Sequence, residues 1–308
     1  MQEGSKKAIV AAFTANLGIS MAKFVGFILT QSAGLLAESV HSLADTGNQA
    51  LLLFGSKRSS KEADDRYQFG YGRERYFWSF VVALVLFSMG GLFALYEGIQ
   101  KFSHPHETEN LPVALGILAA AILLETYSLR TAVKEAQHIK KKDQSWWSFI
   151  RTAKQPELPV VLLEDVGAEI GLFLAFCGVL LAHFTHEPRW DAVGSISIGV
   201  LLVVIAAILA VEMKSLLIGE SALTSDVEKI EGAIQTHAKV RHLINLRTEH
   251  LSPDEILVAA KIEFDQSLSM SDLSTTIDEV EALIRANLPM AKFIFIEPDI
   301  LIEPDVAR

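Results

Sequence analysis

Six stretches of the chain are apolar over about 20 residues or more, at roughly 8–29, 33–56, 77–101, 111–129, 158–183 and 192–217. A hydrocarbon core of ~30 Å takes about 20 mostly apolar residues per helix, and core helices of soluble proteins seldom run so long in series. The pattern predicts an α-helical membrane protein with six transmembrane helices. Beyond residue 220 the period changes. An amphipathic helix is expected over 226–237, strands over 243–249 and 256–264, a helix over 271–288 and a strand over 292–297. This order predicts a small cytoplasmic α+β (ferredoxin-like) domain with both helices on one face of a sheet. The expected division is a transport domain over 1–220 and a dimerisation domain over 221–308.

Charge sets the orientation. Fifteen Lys and Arg fall in the N-terminal stub and in the loops after the second and fourth runs, whereas the opposite loops offer only Lys101 and Arg189. By the positive-inside rule both termini are cytoplasmic. The first run lacks a signal-peptide cleavage site and no transit-peptide pattern precedes it, so the expected location is a bacterial inner membrane. Residues 221–308 hold sixteen acidic and eight basic side chains, a net −8 of the chain's −10. That balance excludes nucleic acid as a partner. Cys177 is the only cysteine, so neither an intramolecular disulfide nor a thiolate zinc cluster can form. No glycine-rich phosphate loop and no organic-cofactor motif is present, which leaves an ion gradient to drive any transport.

Two of the apolar runs carry ionisable groups that are costly at bilayer depth and therefore mark an ion or proton path. The second run contains Ala37-Glu38-Ser39-Val40-His41-Ser42-Leu43-Ala44-Asp45, and the fifth contains Val161-Leu162-Leu163-Glu164-Asp165-Val166-Gly167-Ala168-Glu169. His41 and Asp45 sit one turn apart on one helix face, as do Asp165 and Glu169. Imidazole with carboxylates suits zinc, while an all-oxygen shell leans to manganese or magnesium. Asn16 and Asn48 either line the same cavity or bond helix to helix, and Gly26, Gly34, Gly47 and Gly55 are expected at close helix contacts.

Residues 37–45, followed by Asn48-Gln49 and Phe69-Gly70-Tyr71-Gly72-Arg73-Glu74-Arg75-Tyr76-Phe77-Trp78, resemble the second helix and adjoining loop of the cation diffusion facilitators. The resemblance covers nearly the whole chain. It implies a homodimer that exports Zn2+, or Mn2+, Fe2+ or Co2+ by the same route, in exchange for protons, the metal being substrate rather than cofactor. By the same resemblance His41 and Asp45 match the second-helix ligand pair and Asp165 the second member of the fifth-helix pair. Where the family has a fifth-helix His, this chain has Val161. The remaining ligand is Glu169, which shares a helix face with Asp165, or Glu164, whose pairing with Asp165 resembles a branch related to the mammalian mitochondrial zinc exporter.

Tyr67 and Tyr71 replace the histidines of the family's loop site beside Asp64 and Asp65, so that site is expected to be absent. Ile244, Lys261 and Ile296 stand where other members bind metal in the C-terminal domain; His237, His242 and His250 are the nearest substitutes, and packing is expected to hold the dimer. Arg73 is expected to pair with Glu220. An intramembrane metal-dependent hydrolase is the alternative from another class, but it needs a base beside paired histidines, as in His-Glu-x-x-His, which this chain lacks.

Overall fold

The computed structural model describes the backbone of residues 3–301 and the side chains of residues 16–301. The chain divides into two compact units: one formed by 1–58 with 74–214, the other by 59–73 with 215–308. The first unit is helical. Its long helices are α1 (Glu3–Thr30), α2 (Ala33–Ser59), α3 (Glu74–Ser103), α4 (Leu111–Ile139), α5 (Glu157–Thr185) and α6 (Arg189–Ile218), with a short helix Trp146–Thr152 before α5. Four of them, α3 to α6, are long and apolar enough to cross a membrane. In α1 the apolar stretch Asn16–Thr30 is shorter. α2 has the length, but Glu38, His41 and Asp45 lower its hydropathy. Six spans were expected; on length and composition alone, four helices among the described residues qualify.

Ion pairs mark the two ends of this unit. At one end Arg75 grips Glu157 through two bonds of 2.6 and 3.0 Å, joining the starts of α3 and α5. At the other, Lys101 lies 2.7 Å from Asp191, both side chains fully buried. Asp191 also accepts from the Ser32 hydroxyl and from the backbone N–H groups of Ala33 and Gly34. Those amides are orphan donors at the start of α2, so a carboxylate from α6 caps another helix. Lys101, expected in an open loop, is therefore an internal residue.

Small residues set the closest helix approaches. A Cβ at Gly34 would come 3.0 Å from that of Ala175, and one at Gly98 only 2.8 Å from the Ile196 backbone nitrogen, so α2 meets α5 and α3 meets α6 nearly backbone to backbone. Gly26 and Gly55 likewise face Ile117 and Trp78, but Gly47 faces open space and takes no part in such a contact. Within α3 a stretch of π-helix, Leu86–Leu92, carries Gly90 close to His41.

The second unit is α+β. Helix α7 (Thr224–Gln235) leads into strands β1 (Val240–Ser252) and β2 (Glu255–Phe264), then α8 (Met270–Asn287) and β3 (Ala291–Pro298). The sheet order is β1-β2-β3, with β1 and β2 antiparallel and β2 and β3 parallel. A parallel pair needs a crossover, and α8 supplies it. Burial alternates strictly along β2, and its buried Ile256, Val258, Ala260 and Ile262 pack with Ile230 and Ile234 of α7 and Val280 and Ile284 of α8. The loop between α2 and α3 belongs to this unit. Phe69 meets Phe293 edge to face at 5.2 Å, and Arg73 bonds Glu249 rather than the expected Glu220.

Candidate metal centre

Three of the carboxylates singled out in α2 and α5 meet at one cleft of about 20 Å³ between α1, α2, α4 and α5, whereas His41 and Glu169 are not part of its lining. Asp45, Glu164 and Asp165 line it, with Asn16, Ser42 and Val161. Space of that size holds one water or one ion. Val161 faces the cleft at the position where a further imidazole would stand.

His41 is fully buried, and its Nδ1 lies 3.5 Å from Asp45 Oδ1, the contact that i,i+4 spacing predicts. Neither ring nitrogen, nor Asp45 Oδ1, has a hydrogen-bond partner among the described residues. Buried polar atoms are nearly always bonded, so this set has capacity to spare for a ligand. Among the described residues no three His, Cys, Asp or Glu side chains stand close enough to clamp an ion as placed, so a bound cation must draw them inward.

The two candidate glutamates part company. Glu164 is buried in the cleft and accepts a 2.6 Å bond from the Asn48 amide of α2. Helix α5 stays regular here, so Glu164 reaches the cleft without any unwinding. The cleft is broad enough, spanning four helices, for two successive residues to face it. Glu169 points to α4, where the Thr126 hydroxyl donates to its Oε1 at 2.8 Å. Asp165 accepts from Ser128 of the same helix at 3.1 Å. The sequence reading missed Glu125, which lines the cleft from α4; the signal was a lone carboxylate 14 residues into an apolar helix.

In the second unit, Asp64 is engaged by its own loop. Tyr71 donates to it at 2.6 Å, and the backbone N–H groups of Tyr67 and Arg66 at 2.8 and 3.0 Å. These donors, the tyrosine first, hold its carboxyl down to about 2. His237 and His242 each contact a glutamate, Glu279 and Glu263, and Lys261 bridges Glu297 and Asp299.

An embedded carboxylate cleft in a helical membrane domain that precedes an α+β domain is the architecture of a metal-ion transporter. Residues 9–218 match the cation efflux transmembrane domain and residues 223–299 the cation efflux protein cytoplasmic domain. The chain belongs to the cation efflux, or cation diffusion facilitator, family, a family of transporters rather than enzymes. It is 29% identical over 264 residues to the human proton-coupled zinc antiporter SLC30A9, mitochondrial, covering 85% of this chain and 46% of that protein. Metal tolerance protein C4 of Arabidopsis thaliana is 28% identical over 265 residues, 85% of this chain and 57% of that one. Magnetosome protein MamB of Magnetospirillum gryphiswaldense is 25% identical over 296 residues, 93% and 92% of the two chains. The chain thus spans about half the length of the SLC30A9 relatives it matches.

Proposed function

We propose that the chain exports a divalent cation, zinc foremost, in exchange for protons. All six long helices cross the membrane in this reading, the termini are cytoplasmic, and two copies pair through the C-terminal domain. The cation is held by His41, Asp45, Asp165 and Glu164, with Glu169 as a neighbouring carboxylate on α4's side. The observation that carries this is the gathering of three carboxylates from α2 and α5 in one ion-sized cleft, beside a buried imidazole with no hydrogen-bond partner among the described residues.

The mechanism follows from ligand chemistry. Metal ligands must be deprotonated, so ion and protons compete for the same atoms. On the cytoplasmic side the carboxylates and neutral imidazole take the ion. When α2 and α5 rock to open the other face, protons displace it. Zinc antiport is also the activity by which the SLC30A9 relatives are named.

A second metal class is favoured by one feature of the cleft. Val161 leaves a single imidazole among carboxylates, and an oxygen-rich shell suits Mn2+ or Fe2+ better than a nitrogen-rich one. Uptake of Zn2+, Mn2+, Fe2+ and Co2+ into inverted sealed vesicles under an imposed pH gradient tests both readings. Zinc accumulation that needs the gradient and is lost in Asp45→Ala and Asp165→Ala supports antiport at this cleft. Accumulation that is indifferent to either substitution overturns it.

A further inference from the structure

Lys23 of α1 is a basic residue deep within the helical unit, 1% exposed. Its Nζ lies 3.2 Å from Glu38 Oε2 and 3.9 Å from Glu125 Oε1, and donates to Ser42 Oγ at 2.7 Å. Ser42 and Glu125 line the ion cleft. The ammonium therefore stands between one carboxylate behind the cleft wall and another on it, with a hydroxyl of the wall as its third partner. Glu38 is fully buried, and its second oxygen, Oε1, has no hydrogen-bond partner among the described residues. That oxygen rests against Gly171 of α5, where a Cβ would come within 2.4 Å of it. Only a glycine leaves the carboxylate its room.

Such a pair needs a reason. The desolvation of two buried charges commonly exceeds their mutual attraction, so a buried ion pair adds little stability over apolar residues of the same shape. In a membrane the cost is greater still.

We propose that Lys23 is a tethered counter-cation that stands in for the transported metal. This rests on the transport reading above. In the empty cleft its ammonium offsets the charge of Glu125 and so keeps a crowd of carboxylates together. A divalent ion entering beside Asp45, Glu164 and Asp165 repels it, and Lys23 gives up Glu125, the more distant of its two carboxylates, while keeping Glu38 and Ser42. As the metal leaves, Lys23 returns. The lysine is a positioning residue that touches no metal. Its effect is to hold affinity down, so that the ion is released rather than trapped.

The test is zinc transport by the full chain in sealed vesicles, with KM and kcat measured separately. Glu38→Gln removes the place of retreat and pins the ammonium against Glu125, so KM should rise about tenfold, a change worth ~1.4 kcal/mol. Lys23→Met with Glu38→Gln removes both charges and leaves neither unpaired. Its KM should fall about tenfold and its kcat fall with it, because the ion now leaves slowly. Opposite shifts of KM in the two proteins support the proposal. A merely structural pair would move both the same way, and that result, or a KM unchanged in Glu38→Gln, overturns it. The single variant keeps Lys23 bonded to Ser42 and close to Glu125, so it decides the matter even where the double variant does not assemble. Should the parent fail to transport zinc, or Asp45→Ala leave transport intact, it is the transport reading that fails.

Discussion

The Asn48 amide of α2 donates to Glu164 of α5 at 2.6 Å, inside the helical unit and at the edge of the ion cleft. One bond thus orients the carboxylate and ties together the two helices that carry the proposed ligands. Groups that orient a metal ligand matter about 10–100-fold when removed. We expect Glu164→Gln to lower zinc transport about 100-fold and Asn48→Ala about tenfold. Glu169→Gln, whose parent side chain is held by Thr126, should keep most of the rate. Initial rates of zinc uptake by the three variants, at matched protein content, check the order. A larger loss in Glu169→Gln than in Glu164→Gln would reverse the ligand assignment.

Val161 presents an isopropyl group to the cleft one turn before Asp165. An imidazole there would share a face with Asp165 and reach the same ion. Val161→His should therefore tighten zinc binding, lowering the dissociation constant about tenfold, while manganese, which prefers oxygen ligands, gains less. Calorimetric titration of the purified protein with each metal measures the difference. Equal gains for both ions would mean that the added ring does not coordinate.

What the sequence revealed, and what it hid, follows from how far apart the partners lie. Asp45, Glu164 and Asp165 were legible because a charge inside an apolar run stands out by itself. The α+β order beyond residue 220 was legible because β2 alternates at period two while α7 and α8 repeat at helical spacing. Glu125 stands in an apolar run as the others do, yet its i+3 neighbour is Ser128 and its i+4 neighbour Leu129, so no second carboxylate or imidazole marks its face. Lys101 shows the opposite case: a lysine at the end of an apolar run is usually a snorkelling surface residue, and its partner, Asp191, is 90 positions away. Arg73 was matched with Glu220, whereas the fold carries it to Glu249 on β1. No local pattern encodes pairs of that kind.

The Lys101–Asp191 pair should contribute to stability more through what its loss exposes than through its own strength. Removing one member of a buried pair leaves the other charge uncompensated, which costs about 3–5 kcal/mol. Asp191→Ala should be the worse of the two singles, because that carboxylate also holds Ser32, the Ala33 and Gly34 amides and the Thr108 hydroxyl. Lys101→Met paired with Asp191→Ala should cost less than the sum of those two singles. Thermal unfolding in detergent, followed by intrinsic tryptophan fluorescence, gives the ranking. Additive losses would show that the two side chains do not depend on each other.

Asp64 sets a pH dependence in the loop between α2 and α3. Its carboxyl is held down to about 2 by the Tyr71 hydroxyl first, then by the Tyr67 amide, with Lys61 and the Arg66 amide beside them. A free aspartate titrates near 3.9. Since the folded value is the lower one, the contribution of these bonds is fully present above about pH 4 and is lost as pH falls from there toward 2. The loop should therefore keep its fold at pH 4 and loosen only in stronger acid. Tyr71→Phe removes the largest of the causes and should move the titration of Asp64 back toward the ordinary value. A side-chain carboxyl NMR titration of Asp64 in parent and variant reads this directly, and coincident curves would show that the tyrosine does not hold the carboxylate.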